Sequence, residues 1–161
     1  MCKYVIREMK ADEVDILKEM LYEAIYQPDQ RNLVPREIIK EPELRIYFEV
    51  WGQEGDFCFL AEVDGKTVGA VWTRILAGAV KGFGYIDDQT PEFAIALYKE
   101  FRNQSIGTAL MKRMLHHLKK KGFTKASLAV QKENYAARMY QKIGFEILKE
   151  TEEEYLMVFY L

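Results

Sequence analysis

Residues 91–110, PEFAIALYKEFRNQSIGTAL, pass from a β-prone segment through a turn of small polar residues into a long helical pattern. Apolar side chains recur at helical spacing between Ile106 and Leu118, and Gly122 is placed to end the helix. No acidic residue stands at the helix start, where Asp or Glu normally complements the positive end of the dipole. This arrangement favours an anion site, such as a phosphate site, although a strand-to-helix turn is also a common structural connection.

Basic residues cluster in the same part of the chain. The net charge of the 161 residues is −2, yet the stretch from Arg102 to Lys125 has seven Lys or Arg residues and no Asp or Glu. A basic cluster in an otherwise acidic chain favours one anionic ligand over an anionic polymer, so we expect no nucleic-acid partner. Lysines at the end of a helix also complement its dipole, which is a second explanation for Lys119, Lys120 and Lys121.

The composition is that of an ordinary globular protein, with 49% hydrophobic and 30% charged residues. The length fits one domain, which we assign to residues 1–161. Cys2 and Cys58 have no metal-ligand or disulfide spacing, so we expect free thiols in a reducing compartment and no metal. The N-terminus lacks an apolar signal core, and no run is long enough to span a membrane. We therefore expect a cytoplasmic protein without a membrane partner.

The order of predicted elements is that of an α/β domain. After a short opening strand come a helix over residues 13–26, capped by Asp12, and a second helical stretch over about residues 35–51 that is broken or restarted within it. Two β-rich runs around Asp64-Gly65 predict a hairpin, and a short edge strand is predicted around Tyr85. With the later segments, this order predicts a mixed, mostly antiparallel central sheet of about seven strands flanked by about four helices.

A second motif, NYAARMYQKIGF, follows at residues 134–145. Together with the turn RNQSIG at residues 102–107, it resembles the GNAT superfamily of acyl-CoA-dependent N-acyltransferases. In that family a turn of the form Arg/Gln-x-x-Gly-x-Gly/Ala precedes the helix, and the later motif contributes the residue types found here at Asn134, Ala137, Tyr140 and Gly144-Phe145. The order of elements agrees over essentially the whole chain.

Ser105 departs from the family pattern, because it stands where the family has its first glycine. Two explanations are open from the sequence. If the position needs a positive φ, serine is strained by about 1 kcal/mol or more. If it does not, the serine hydroxyl is an additional donor to a phosphate.

The resemblance implies that acetyl-CoA is the co-substrate, bound in an opening between the strand that ends near Tyr98 and the strand KASLAVQ, residues 125–131. Pantetheine would bond along the first of these strands, and the backbone N–H of Leu97 would polarise the thioester carbonyl. The N–H groups of the turn would hold the pyrophosphate. The positions implied in acyl-CoA binding are Ile95, Leu97, Tyr98, Arg102, Asn103, Gln104, Ser105, Ile106, Gly107, Thr108, Asn134 and Ala137.

The resemblance also implies direct transfer of the acetyl group to a primary amine of a small molecule or peptide, without a covalent enzyme intermediate. Tyr140 would donate a proton to the departing CoA thiolate, whereas without the motif it would be interpreted as a core aromatic. Glu92 is the candidate general base, with ordered water as the alternative. Asp87 and Asp88 are candidate contacts for a cationic acceptor, and a solvated carboxylate is the alternative for all three acids.

In this family the first two helices and the loop before Glu92 form the acceptor pocket. A mobile lid is one hypothesis for that loop, residues 78–88, and core packing is the alternative for the aromatic residues near it. Those aromatics are Tyr22, Tyr26, Tyr47, Trp51 and Trp72. His116 and His117 are interpreted as surface or packing residues.

From these features we predict an N-acetyltransferase that uses acetyl-CoA and an amine acceptor. A non-catalytic acyl-CoA-sensing or partner-binding module of the same fold is the alternative. A nucleic-acid-binding domain is a third hypothesis, which the acidic net charge disfavours. The sequence leaves the identity of the amine and the oligomeric state open, a homodimer included.

Overall fold

A computed structural model describes residues 3–161, so Cys2 lies outside the described part of the chain. One strand and two helices come first, three strands follow, and the remainder is helix, strand, helix and two strands, with short 3-10 turns before some of the helices. The strands are β1 (Val5–Glu8), β2 (Phe57–Val63), β3 (Lys66–Arg74), β4 (Glu92–Leu97), β5 (Lys125–Gln131), β6 (Glu146–Glu150) and β7 (Glu154–Tyr160). The helices are α1 (Ile16–Ala24), α2 (Pro42–Arg45), α3 (Ile106–Lys120) and α4 (Ala136–Ile143).

The strands form one seven-stranded sheet in the order β1-β2-β3-β4-β5-β7-β6. All neighbours are antiparallel except β4 and β5, which run parallel and pair only through Glu92 and Ser127. Beyond this pair the two strands separate, because β4 continues to Leu97 without a ladder to β5. The predicted α/β fold is therefore confirmed, and the sheet has an opening at its centre.

The predicted hairpin joins β2 and β3. Asp64 and Gly65 both have positive φ angles, 52° and 78°, as the tight two-residue turns of β-hairpins require. The pairing of Val63 with Lys66 closes the turn. The Asp-Gly signal thus predicted both the position and the backbone geometry of this connection.

The sheet buries a hydrophobic core on each face. On β2, Phe59 and Ala61 belong to the core formed with α3 and α4, whereas Cys58 and Leu60 belong to the core formed with α1. Successive side chains of a strand point to opposite faces, which is why β2 contributes to both cores. Since each core also contains helix residues, helices cover both sides of the sheet. The opening between β4 and β5 therefore lies between two packed layers.

The first two helices differ from the sequence prediction. Residues 11–13 form a 3-10 turn and α1 begins at Ile16, so Asp12 is not its cap; instead the Glu13 carboxylate accepts from the Lys10 N–H at 2.7 Å. The predicted stretch 35–51 is a 3-10 turn, Arg36–Lys40, followed by α2. The break falls at Glu41, which is extended because it precedes Pro42.

The edge strand predicted around Tyr85 is wrong. Residues 84–90 form a loop, and the backbone groups of Gly84 bond to side chains rather than to a neighbouring strand. Its N–H donates to the Glu92 carboxylate at 3.0 Å, and its carbonyl accepts from the Ser127 hydroxyl at 2.5 Å. A strand ladder cannot form where both groups are already used.

Between residues 3 and 161, no helix combines the length and the apolar character needed to cross a membrane.

Candidate active site

A cavity of about 350 Å³ lies where β4 and β5 separate. Its walls come from α1 and the segment after it, from β4, β5 and α4, and from the loop before β4. Residues that line it include Leu21, Tyr26, Tyr47, Phe83, Glu92, Ile95, Val130, Asn134, Tyr140 and Glu154. The cavity therefore brings together the two predicted catalytic residues, Glu92 and Tyr140, from distant parts of the chain.

Glu92, the first residue of β4, is 3% exposed. Its Oε2 accepts hydrogen bonds from the Tyr47 hydroxyl and from the Gly84 N–H, while Oε1 has no hydrogen-bond partner within residues 3–161. Burial raises the pKa of Glu92 from 4.5 to about 7, and the two hydrogen bonds oppose this rise because they favour the charged form. At neutral pH the group therefore exists in both protonation states.

Two glycines of the preceding loop lie against the Glu92 carboxyl group. A Cβ atom at Gly82 would lie 1.9 Å from Oε1, and one at Gly84 would lie 3.1 Å from Oε2 and from the Leu128 backbone. The first distance is far below a van der Waals contact, so no other residue type fits at Gly82 unless the carboxyl group moves. The position of the Glu92 carboxyl group therefore depends on the close approach of the loop backbone at Gly82 and Gly84.

Tyr47 links Glu92 to this loop. Its hydroxyl donates to Glu92 and accepts from the Phe83 N–H at 2.9 Å, and its ring stacks on the Phe83 ring at 6.3 Å between centroids. Burial and the neighbouring Glu92 raise the pKa of Tyr47, so its hydroxyl stays protonated. Sequence reasoning placed Tyr47 only among the pocket aromatics and missed this contact, which spans 45 residues of sequence without a local signal.

Tyr140 lies on α4 and is 7% exposed. Burial raises the pKa of its hydroxyl, which has no hydrogen-bond partner among residues 3–161 and faces the same cavity as Glu92. A protonated hydroxyl without an internal partner is available to a ligand. Its role as a general acid remains a prediction.

The turn before α3 resolves the question about Ser105. Its φ and ψ are 67° and 2°, so the position does take the left-handed conformation that glycine adopts without strain. The first turn of α3 has no acidic residue, and the Ser105 side chain does not cap the helix. The start of α3 therefore keeps free N–H groups at Ile106 and Gly107, since neither has an intrahelical partner.

Backbone donors of β4 face the opening. The Tyr98 N–H donates to the Val68 carbonyl of the β3 side at 2.9 Å. Because donors alternate sides along an antiparallel strand, the N–H groups of Ile95 and Leu97 point away from β3 toward the separation from β5. This orientation agrees with the predicted use of the Leu97 N–H, while the Tyr98 N–H is already bonded.

Other predicted ligand contacts have partners within the fold. Arg102 donates through Nε to the Leu97 carbonyl at 3.0 Å and lies 3.8 Å from the Glu23 carboxylate. Asn134 accepts through its side-chain oxygen from the N–H of Ala136, the first residue of α4, at 2.9 Å. Gln104 donates to the Glu100 carbonyl at 3.1 Å. These bonds order the cavity rim, and ligand contacts at these residues remain predictions.

The aromatic residues predicted near the acceptor divide into two groups. Tyr26 and Tyr47 line the cavity. The other three do not: the Tyr22 hydroxyl donates to the Val34 carbonyl, and Trp72 is fully buried in the core. The Trp51 ring packs against the Arg74 guanidinium. Phe83 also lines the cavity and was not singled out from the sequence. For Trp72, core packing is the correct alternative.

The loop acids and the histidines lie outside the cavity. Asp87 accepts from Lys125 at 2.9 Å, an ion pair that with two further hydrogen bonds lowers the pKa of Asp87 to about 2, and Asp88 accepts from the Tyr85 hydroxyl. These bonds hold residues 84–88 against the sheet. His117 packs edge-on against Phe57, as a packing histidine would, and His116 is exposed.

The family model described as Acetyltransferase (GNAT) family matches residues 19–145, and the chain belongs to this family. It is 35% identical over 98 residues to a mycothiol acetyltransferase of Thermobispora bispora, an alignment that covers 60% of this chain and 32% of that protein. It is 29% identical over 147 residues to an uncharacterized N-acetyltransferase of Methanocaldococcus jannaschii, covering 89% of this chain and 61% of the other. The chain thus spans 32% and 61% of the length of these two relatives.

Solved structures show the same fold. The PaiA N-acetyltransferase of Thermoplasma acidophilum in complex with coenzyme A superposes with a TM-score of 0.69, at 19% identity and over 99% of each chain. The whole of the described chain therefore has the fold of this family.

Proposed function

We propose that this protein transfers an acetyl group from acetyl-CoA to a primary amine of a small molecule or peptide. The observation that carries the proposal is the pairing, in one cavity, of Glu92 with a pKa of about 7 and the buried, unpartnered Tyr140 hydroxyl. The first suits a base at neutral pH and the second suits an acid. Membership of the GNAT family supports the same reaction.

The donor site is the opening between β4 and β5 together with the start of α3. Outward-facing N–H groups of Ile95 and Leu97 fit the amide groups and thioester of an acyl-CoA, and the acid-free start of α3 fits its pyrophosphate. A bound thioester supplies the acetyl group, and the N–H of Leu97 stabilises charge on its carbonyl oxygen.

In the proposed reaction Glu92 and Tyr140 each transfer one proton. Glu92 accepts a proton from the attacking amine, directly or through one water, as the C–N bond forms and the C–S bond breaks. Tyr140 donates its proton to the departing thiolate sulfur. Exchange with solvent restores both groups, so no covalent bond to the protein is needed. Cys58, whose pKa is raised by burial, takes no part because it faces the α1 core.

A panel of primary amines with acetyl-CoA, read by thiol release, tests this proposal. We expect Tyr140→Phe to lower kcat by about a hundredfold and to leave the Kd for acetyl-CoA within about twofold, because the hydroxyl is needed only as the bond breaks. Tyr160→Phe, an exposed tyrosine on β7, is the matched control and should keep wild-type rates.

Two results would count against the proposal in different ways. Wild-type turnover in Tyr140→Phe would remove the general-acid role. Tight acetyl-CoA binding without thiol release from any amine would favour a non-catalytic acyl-CoA-sensing module.

A further inference from the structure

Glu154 is a second carboxylate in the wall of the candidate active site. It begins β7, pairs with Gln131 of β5, and is partly buried. It lines both the main cavity and a neighbouring groove, whose walls also include Phe83 and Lys149. Glu154 therefore stands at the junction between the cavity and this outer groove.

No cation within the described chain neutralises Glu154. Across residues 3–161 its carboxylate has no ion pair and no side-chain hydrogen bond. Lys132 is paired with Glu150 at 2.6 Å, and Lys149 lines only the outer groove. No Lys or Arg is among the described residues that line the cavity, so its charged groups are both acidic.

Two further features favour a positively charged ligand here. Phe83 is 52% exposed and lines both compartments, so its ring is accessible to a cation, and aromatic faces attract cations. Glu92 Oε1 is buried without a hydrogen-bond partner in the described chain. Burial and Glu92 are the larger causes that raise the pKa of Tyr47, and the charge of Glu154 adds to them, so Glu154 acts electrostatically on the hydroxyl that bonds Glu92.

We infer that the acceptor carries two cationic centres, as an aliphatic diamine does: one amine is acetylated beside Glu92, and the second, as an ammonium, binds the Glu154 carboxylate. This inference rests on the proposed acetyl transfer and names its acceptor class. The second ammonium keeps its protons throughout and only positions the first nitrogen. The first nitrogen gives one proton to solvent before it attacks as a neutral amine, and it loses a second proton to Glu92 as the C–N bond forms. An acceptor with a carboxylate at this position would be repelled by Glu154.

The test compares cadaverine with n-pentylamine, which has the same five-carbon chain and a hydrogen atom in place of the second ammonium group. We expect the wild-type kcat/KM for cadaverine to exceed that for n-pentylamine by about tenfold or more. Glu154→Gln should lose about tenfold on cadaverine and stay within about twofold of wild type on n-pentylamine. Glu153→Gln, its exposed neighbour, is the matched control and should change neither value.

A binding measurement gives a second readout that does not depend on turnover. In calorimetric titrations with CoA present, cadaverine should bind Glu154→Gln about tenfold more weakly than wild type, and thermal unfolding should show that both are folded. Equal use of the two amines by wild type, or equal losses for both in Glu154→Gln, would overturn the diamine inference and leave acetyl transfer intact. Absence of thiol release with every amine would overturn the proposed function and this inference with it.

Discussion

Burial raises the pKa of Glu92 from 4.5 to about 7 because protein atoms replace water around its carboxylate. The hydrogen bonds from Tyr47 and Gly84 favour the charged form and limit this rise. A carboxylate with a pKa near neutrality is a stronger base than a solvated one, yet a large part of it is still deprotonated at pH 7. This residue therefore combines the two properties that the proposed reaction needs.

The rate of acetyl transfer should depend on pH through Glu92. The proposed base accepts a proton only when it is deprotonated, so kcat/KM should rise with pH through about 7 and fall below it. Tyr47→Phe removes a hydrogen bond to the charged form, so the pKa of Glu92 should rise and the acid limb should move to higher pH. Profiles of kcat/KM between about pH 5 and 9 measure the shift.

The control for this shift is Tyr22→Phe. The Tyr22 hydroxyl donates to the Val34 carbonyl and does not contact Glu92, so its loss should leave the profile in place. An acid limb near pH 4.5, or one that Tyr47→Phe leaves unmoved, would show that Glu92 is not the titrating base.

Ser105 is the second residue whose conformation has a measurable consequence. A left-handed φ of 67° costs a serine about 1 kcal/mol, so Ser105→Gly should raise the free energy of unfolding by about 0.5–1 kcal/mol after the entropy of glycine is counted. Ala109→Gly, one turn into α3, should lower it by about 1 kcal/mol. Urea unfolding measures the free energy of unfolding of both variants. A lower value for Ser105→Gly than for wild type would contradict the predicted backbone strain at Ser105.

At the scale of elements, the loop between β3 and β4 does more than connect two strands. Its Phe83 and Gly84 N–H groups bond to Tyr47 and Glu92, and its Gly84 carbonyl accepts from Ser127 on β5. The loop thus joins the segment after α2 to β4 and β5 at the closed end of the opening. The lid hypothesis is restricted by these bonds to the part of the loop before Gly82.

Gly82→Ala should disable the site without unfolding the protein. The added Cβ would lie 1.9 Å from Glu92 Oε1, so the carboxyl group must move away from Tyr47 and Gly84, and we expect kcat to fall by about tenfold to a hundredfold. Gly78→Ala lies in the same loop with no atom within 4 Å of the added Cβ, so it should keep kcat within about twofold. Steady-state kinetics measure kcat, and the acetyl-CoA Kd should stay unchanged in both.

If Gly82→Ala turned over at the wild-type rate, the loop would not set the position of Glu92. A parallel loss in Gly78→Ala would instead indicate that the flexibility of the loop, rather than the contact, matters.

At the scale of the whole molecule, the cavity is assembled from segments that are far apart in sequence. Tyr47 follows α2, Glu92 begins β4, Tyr140 lies on α4 and Glu154 begins β7. The sheet order places β5 next to both β4 and β7, which brings these segments around one opening. The single parallel pair, Glu92 with Ser127, sets where the opening begins.

Patterns within short stretches predicted much of this arrangement. The Asp64-Gly65 signal predicted its hairpin, the acid-free start of α3 was read directly, and the two motifs at residues 102–107 and 134–145 predicted the family. The prediction was wrong at Asp12, where the nearby Glu13 carboxylate bonds the Lys10 N–H instead, and around Tyr85, where a contact from elsewhere in the chain replaced the local preference. For Tyr85 that contact was the bonding of Gly84 to Glu92 and Ser127.

The sequence by itself determined the order of strands and helices, the turn residues and the family, because these depend on side-chain periodicity and motifs within a few residues. Only the tertiary structure decided that Tyr47 and Gly82 enclose Glu92, that Ser105 is left-handed, and that Glu154 faces the same cavity. Burial, pKa and unpaired charge depend on which distant segments pack together. Those properties define the chemistry of the site, and they arise only when the sheet is assembled.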